Sequence, residues 1–302
     1  MTTLSLSTQL CKQSWLVGFA WVAMLLMSRL PQIVLNEFFA IETSFVWIWL
    51  GVALLLLAAT YLWSTLKPLR GYLLIMAVMA LITGPLDGLL RHSARWAAWF
   101  DPQRGWAISF LGERLPLVIE AWILMVVLAG RGMPRQHFFL AVGDLRAAAT
   151  GLRLPGLGRR WLLIGPCWAL LLTLLFFFGT AAMTGAHLGE LPRVLPWLPA
   201  ILLFALMNAF GEEFVYRAAP LSQLAPVVGK NQAIWLTAVW FGLGHFYGGI
   251  PSGPIGALLA GGIALLYGKA MLETRGILLP TVMHMLTDVA IYIFLASAAM
   301  GY

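Results

Sequence analysis

Long apolar runs separated by short polar stretches dominate this chain. A helix that crosses a bilayer needs about 20 mostly apolar residues. Runs of that kind fall at residues 15–34, 44–64, 72–90, 115–129, 161–184, 197–219, 232–249, 255–272 and 277–299. The pattern predicts an all-α, polytopic membrane protein with about eight or nine transmembrane helices. Both counts stay open, because the run at 115–129 is short and the first run contains polar breaks. Polar groups are few in the runs before residue 160 and concentrate in those after it. The chain is therefore read as an N-terminal transmembrane region, residues 1–160, followed by a C-terminal helical core, residues 161–302. It contains no internal repeat and no low-complexity tract.

Composition agrees with this reading. Hydrophobic residues make up 61% of the chain and charged residues 10%, against roughly 25% charged in a soluble domain. So much apolar surface requires lipid as the solvent. The formal charge is +7, but the Lys and Arg lie in short connections, as cytoplasmic anchors do. The bilayer, and not nucleic acid, is the implied partner. The longest connection, residues 131–160, carries Arg131, Arg135, Arg146, Arg153, Arg159 and Arg160 against the single acid Asp144. It is assigned to the cytoplasmic side. Within it, residues 137–149 look amphipathic and are expected to lie on the membrane face. The connection at 91–114 also holds four Arg but falls on the opposite side; its Trp96, Trp99, Phe100 and Trp106 have the composition of an interface. Cys11 and Cys167 are far apart and show no disulfide or metal-ligand spacing. The first apolar run lacks a small-residue cleavage site and is read as a retained span. The expected location is multi-pass, in an inner (plasma) membrane of the bacterial kind.

Ionisable groups at membrane depth cost on the order of 3 kcal/mol or more, so those that occur point to function. Three clusters stand out: Glu212-Glu213-Phe214-Val215-Tyr216-Arg217, Phe241-Gly242-Leu243-Gly244-His245 and His284-Met285-Leu286-Thr287-Asp288. Their spacings are helical. Glu213 and Arg217 are four apart with the acid N-terminal, the better order for a helical ion pair. His284 and Asp288 share a face in the same way. Glu212 and Glu213 lie about 100° apart around a helix. Glu213 is accordingly paired with Arg217, and Glu212 is left free, where a desolvated carboxylate suits a general base. Amide hydrolysis needs a base for water and a donor for the developing oxyanion. A carboxylate with a histidine supplies the first; a second histidine beside an acid supplies the other. No Ser/His/Asp arrangement and no His-Glu-x-x-His zinc motif competes.

These motifs, in this order, resemble the CPBP family of intramembrane proteases, which includes CAAX prenyl proteases and Abi-type, bacteriocin-processing enzymes. The family pattern is Glu-Glu-x-x-x-Arg, then Phe-x-x-x-His, then His-x-x-x-Asn or Asp, on successive helices. The resemblance covers residues 197–299. Each motif alone is weakly specific; their conjunction is strong. It implies a glutamate-type peptidase in which Glu212 and His245 activate water, Glu213 and Arg217 brace the site, and His284 with Asp288 faces the oxyanion. The last position is Asp here, and an ionised Asp cannot donate a hydrogen bond. Asp288 therefore either orients His284 or stays protonated.

Blander readings stand beside these. Glu213–Arg217 serves equally as a structural ion pair, His245 as a packing histidine bonded to a backbone carbonyl, and His284–Asp288 as a polar clamp between helices. His92, His137 and His187 fall in connections and read as solvated. No cofactor is expected, with zinc as the open alternative on Glu212, His245 and His284. The small residues Gly256, Ala260 and Ala264 permit close helix packing. The implied substrate is a membrane-associated peptide or protein. Two other classes fit the same residues: a proton-coupled transporter or channel, and a non-catalytic scaffold or immunity protein of the same fold.

Overall fold

The computed structural model describes residues 3–42, 45–152, 158–185, 189 and 191–299, with side chains from residue 13 onward. The described residues form helices and no strand. Helices close every backbone hydrogen bond within one segment, which hydrocarbon demands. In chain order they are α1 (Thr3–Met27), α2 (Leu30–Phe39), α3 (Val46–Leu62), α4 (Arg70–Leu81), α5 (Asp87–Arg91), α6 (Ala94–Trp99), α7 (Trp106–Gly130), α8 (Trp161–Thr184), α9 (Leu191–Val194), α10 (Leu198–Glu213), α11 (Ala219–Val228), α12 (Lys230–Gly248), α13 (Gly253–Thr274) and α14 (Leu278–Ala299).

The all-α polytopic fold is as expected, but fewer helices meet the length and composition of a span. Among the described residues five helical stretches do: Ser64–Arg91, Trp161–Thr184, Leu191–Val228, Gly253–Thr274 and Leu278–Ala299. A sixth is counted if the pair bent by 55° after Met27 is one span. The bend falls at the polar break foreseen in the first run, where Ser28 Oγ donates to Leu25 O at 2.8 Å. Of the remaining expected spans, α3 has only 17 residues. Helix α7 places Glu113, Arg114 and Glu120 inside its apolar stretch, and α12 is diluted by polar residues and glycine.

Contacts group the chain into two units, each assembled from discontinuous stretches. The first comprises Met1–Gly88 and Ala219–Gly268. Within it α1 packs on α3, α11 and α12, and α4 packs on α3 and α11. Its closest helix approach uses Gly242: a Cβ there would lie 2.5 Å from Ala257 O and 3.1 Å from Gly261 Cα.

The second unit comprises Leu89–Ala218 and Lys269–Tyr302. Here α14 packs on α8 and α10, and α10 packs on α7. The core between α7, α10 and α14 holds Phe110, Ile201, Phe204, Ala205, Tyr292 and Ala296. Two close approaches set these distances: Gly211 sits under Leu117, and Gly165 under Leu279.

The connection after α7 has little regular structure. After a short 3-10 turn at Arg135–Phe138, residues 139–149 are irregular. Its polar backbone is satisfied by the turn between α13 and α14 instead. Asp144 N donates to Thr274 O at 2.7 Å, and Ile277 N to Ala141 O at 3.0 Å. Gly143 adopts φ +82° and abuts Gly276. Nearby, Glu273 accepts from Lys269 Nζ at 2.7 Å and from Trp161 Nε1 at 2.8 Å. Thr150 also bonds Glu273. Arg153 and His187 lie outside the described residues.

Candidate active site

The site is built from one face of α10 and one face of α14, both in the second unit. Helix α10 runs apolar from Leu198 and ends at Glu213, after which the chain widens into a π-turn, Phe214–Ala218. Single π-turns inside helices are rare and recur at functional sites. This one carries Arg217. The expected ion pair is present: Arg217 Nη1 donates to Glu213 Oε1, both side chains being fully buried. Such a pair is sustained only by close geometry, since desolvating two charges is costly.

Glu213 does more than pair with Arg217. Its Oε1 is also 2.8 Å from His284 Nδ1. This bond links α10 to α14 and sets the plane of the imidazole. The other ring nitrogen, Nε2, is 3.6 Å from Glu212 Oε2 and 3.6 Å from Asp288 Oδ1. Glu212 thus turns to a different side from Glu213, as the 100° offset between neighbours requires. Its side chain is 16% exposed, whereas that of Glu213 is 0% exposed. Glu212, Glu213, Arg217, His284 and Asp288 therefore come together.

Two further residues join them. Asn208 lies one helical turn before Glu212, and its Nδ2 donates to Asp288 Oδ2 at 3.1 Å. Asn208 Oδ1 accepts from Arg114 Nη1 at 2.8 Å. The Arg114 guanidinium also sits over the Phe110 ring, 4.6 Å from its centre, and 5.5 Å from the centre of the Tyr292 ring. Asn208 carried a signal, four residues before Glu212 on one helical face. Arg114 was read only as a loop charge, because it follows a polar connection.

His245 belongs to the first unit, on α12. Its Nδ1 is 2.9 Å from Phe241 O. A carbonyl only accepts, so Nδ1 carries a proton; in the neutral tautomer the lone pair therefore lies on Nε2. The Phe241 and His245 rings are 4.3 Å apart, so the Phe-x-x-x-His spacing is a packed pair.

The donor chemistry bears on zinc. Of the three side chains offered for it, Glu212 and His284 converge here, while His245 lies in the other unit. Among the described residues no group of three His, Cys, Asp or Glu side chains is arranged to hold a metal ion.

Comparison with known families bears on the same residues. The family model described as type II CAAX prenyl endopeptidase, Rce1-like, matches residues 194–290. Over this segment, about a third of the chain, the sequence is similar to that family. The match runs from the end of α9 into α14 and takes in Glu212, Glu213, Arg217, His245, His284 and Asp288. It also includes Asn208 and leaves out Arg114. The matched family is one of peptidases, and the apolar helices make this protein an integral, multi-pass membrane protein. No curated protein and no solved structure matches the chain.

Proposed function

We propose that this protein is a glutamate-type intramembrane endopeptidase that cleaves a membrane-associated peptide or protein. The observation that carries the reading is the pair Glu212 and His284, with Oε2 and Nε2 facing each other at 3.6 Å while Glu213 holds the far side of the ring. Glu212 takes a proton from water as its oxygen attacks the scissile carbonyl carbon. His284, with Nδ1–H given to Glu213, acts as an imidazolium and donates Nε2–H toward the carbonyl oxygen as it becomes an oxyanion. When the C–N bond breaks, the proton held by Glu212 passes to the leaving amine. The products are a carboxylic acid and an amine, and the site returns to its starting protonation state. The motif resemblance assigns His245 to the water-activation step, and its bond from Nδ1 to Phe241 O leaves Nε2 as the nitrogen for that role. Neither step draws on a metal.

The test is purified full-length protein in detergent, incubated with a farnesylated peptide ending in a CAAX-type tetrapeptide and, separately, with an unprenylated membrane-anchored peptide. Cleavage is followed by mass spectrometry with and without exhaustive chelation. We expect turnover that survives chelation and falls by at least about 100-fold in Glu212→Gln, His284→Ala and His245→Ala. Wild-type turnover in Glu212→Gln would overturn the mechanism. One zinc per chain, with activity restored only by adding zinc back, would overturn its metal-free form. Proton flux in liposomes without peptide cleavage would favour the transporter reading.

A further inference from the structure

We propose that Asn208 and Arg114 are positioning residues that fix the orientation of Asp288 and, through it, of the His284 imidazole. The role rests on the peptidase reading above. The contacts form one thread across three helices of the second unit. Arg114 Nη1 on α7 donates to Asn208 Oδ1 on α10 at 2.8 Å. Asn208 Nδ2 donates to Asp288 Oδ2 on α14 at 3.1 Å. Asp288 Oδ1 then faces His284 Nε2 at 3.6 Å.

The direction of these bonds matters. An amide has a carbonyl end that only accepts and an NH2 end that only donates. Arg114 has no acceptor, so it selects the carbonyl end of Asn208. That choice turns the NH2 end toward Asp288. Oδ2 is thereby committed to accepting, and Oδ1 is the oxygen left facing the imidazole. Without the guanidinium, the amide can flip and the carboxylate can rotate. His284 would keep its Glu213 bond on Nδ1 but lose the definition of its Nε2 side.

The thread is also well anchored. Asn208 and Asp288 are each 5% exposed. The Arg114 guanidinium lies over the Phe110 and Tyr292 rings, which fix it more firmly than a solvated surface charge. Asn208 shares its helical face with Glu212, one turn away. The thread therefore ends at the reacting side of the site and not at its back, where Glu213 and Arg217 lie. A bare structural clamp between helices would need only one of these bonds. Two hydrogen bonds in series with fixed donor direction, followed by the 3.6 Å approach of Asp288 Oδ1 to His284 Nε2, place an atom at a stated position.

The experiment is a double-mutant cycle on the full chain, with Asn208→Ala, Arg114→Ala and both together, and with Glu212→Gln as reference. Steady-state kinetics use the farnesylated CAAX-type peptide, and melting temperature is recorded for each variant. We expect kcat to fall on the order of 10-fold in Asn208→Ala with KM changed less than about twofold, since misplacement near the chemistry acts on the transition state. Arg114→Ala should lower kcat several-fold alone and add nothing in the Asn208→Ala background, as members of one thread are not additive. Arg114→Lys, which keeps a donor, should recover part of the loss. Unchanged kcat in Asn208→Ala, or effects that multiply in the double variant, would overturn the proposal. If Asn208→Ala does not fold, Arg114→Lys and Arg114→Gln carry the test, because the Arg114 side chain is 25% exposed. If Glu212→Gln retains turnover, the peptidase reading fails separately. The thread is then judged by the ¹⁵N resonance of His284 Nε2 in histidine-labelled protein, where an Asn208→Ala spectrum identical to wild type rejects it.

Discussion

Glu212 and Glu213 are chemically identical neighbours with different surroundings. Glu213 is fully buried, bonded to Arg217 and to His284. Glu212 is partly exposed and approaches His284 Nε2 at 3.6 Å. Removing one partner of a buried ion pair typically costs 3–5 kcal/mol, so Glu213→Ala should lower the melting temperature sharply. Glu212→Gln keeps the side-chain shape and should leave it nearly unchanged. Thermal unfolding of both variants in the same detergent checks this; equal losses would contradict the assignment of separate tasks. The Glu213–Arg217 bond was legible in the sequence because both partners lie on one helical stretch four residues apart. The Glu213–His284 bond was not, since it joins residues 71 apart. Asn208 and Arg114 were missed for the same reason: a polar residue on one helix acquires meaning only from what the next helix presents.

Helix boundaries followed composition wherever a run was long and free of charge. The run at 161–184 coincides with α8, and that at 277–299 begins one residue before α14. Where ionisable or turn-forming residues interrupt, the backbone departs from the simple pattern, as in the bend at Ser28 and Arg29 and the π-turn at Phe214–Ala218. The connection after α7 departs furthest. Beyond the turn at Arg135–Phe138 it is irregular, and its backbone finds partners on the α13–α14 turn. That docking depends on two glycines. A Cβ at Gly276 would lie 2.5 Å from the Cα and N of Gly143. Gly276→Ala should therefore destabilise the second unit by about 1–3 kcal/mol, the range for overpacking, and speed proteolysis within 131–160. Gly179→Ala in α8 has open space around its Cβ and should be neutral or slightly stabilising. Slower proteolysis of Gly276→Ala than of wild type would refute the docking argument.

For the whole molecule, orientation is an expectation drawn from charge. Arg131, Arg135, Arg146, Arg159 and Arg160 crowd one connection, and the positive-inside rule predicts a cytoplasmic location for it. In a protein lacking Cys11 and Cys167, an Ala148→Cys variant should react with a membrane-impermeant thiol reagent only after the cytoplasmic face is opened. Ala148 is exposed, so labelling of intact cells from outside would reverse the orientation. Two things followed from the sequence alone. One is the solvent, because 61% hydrophobic residues in long runs leave no alternative to lipid. The other is the set of one-helix pairs, because helical periodicity is a local property. Tertiary structure alone decided which carboxylate grips His284, that Asn208 turns its amide to Asp288, and that residues 139–149 are held without a helix. Those contacts join segments distant along the chain, and their geometry depends on how closely helices approach at Gly211, Gly165 and Gly276, which no local period encodes.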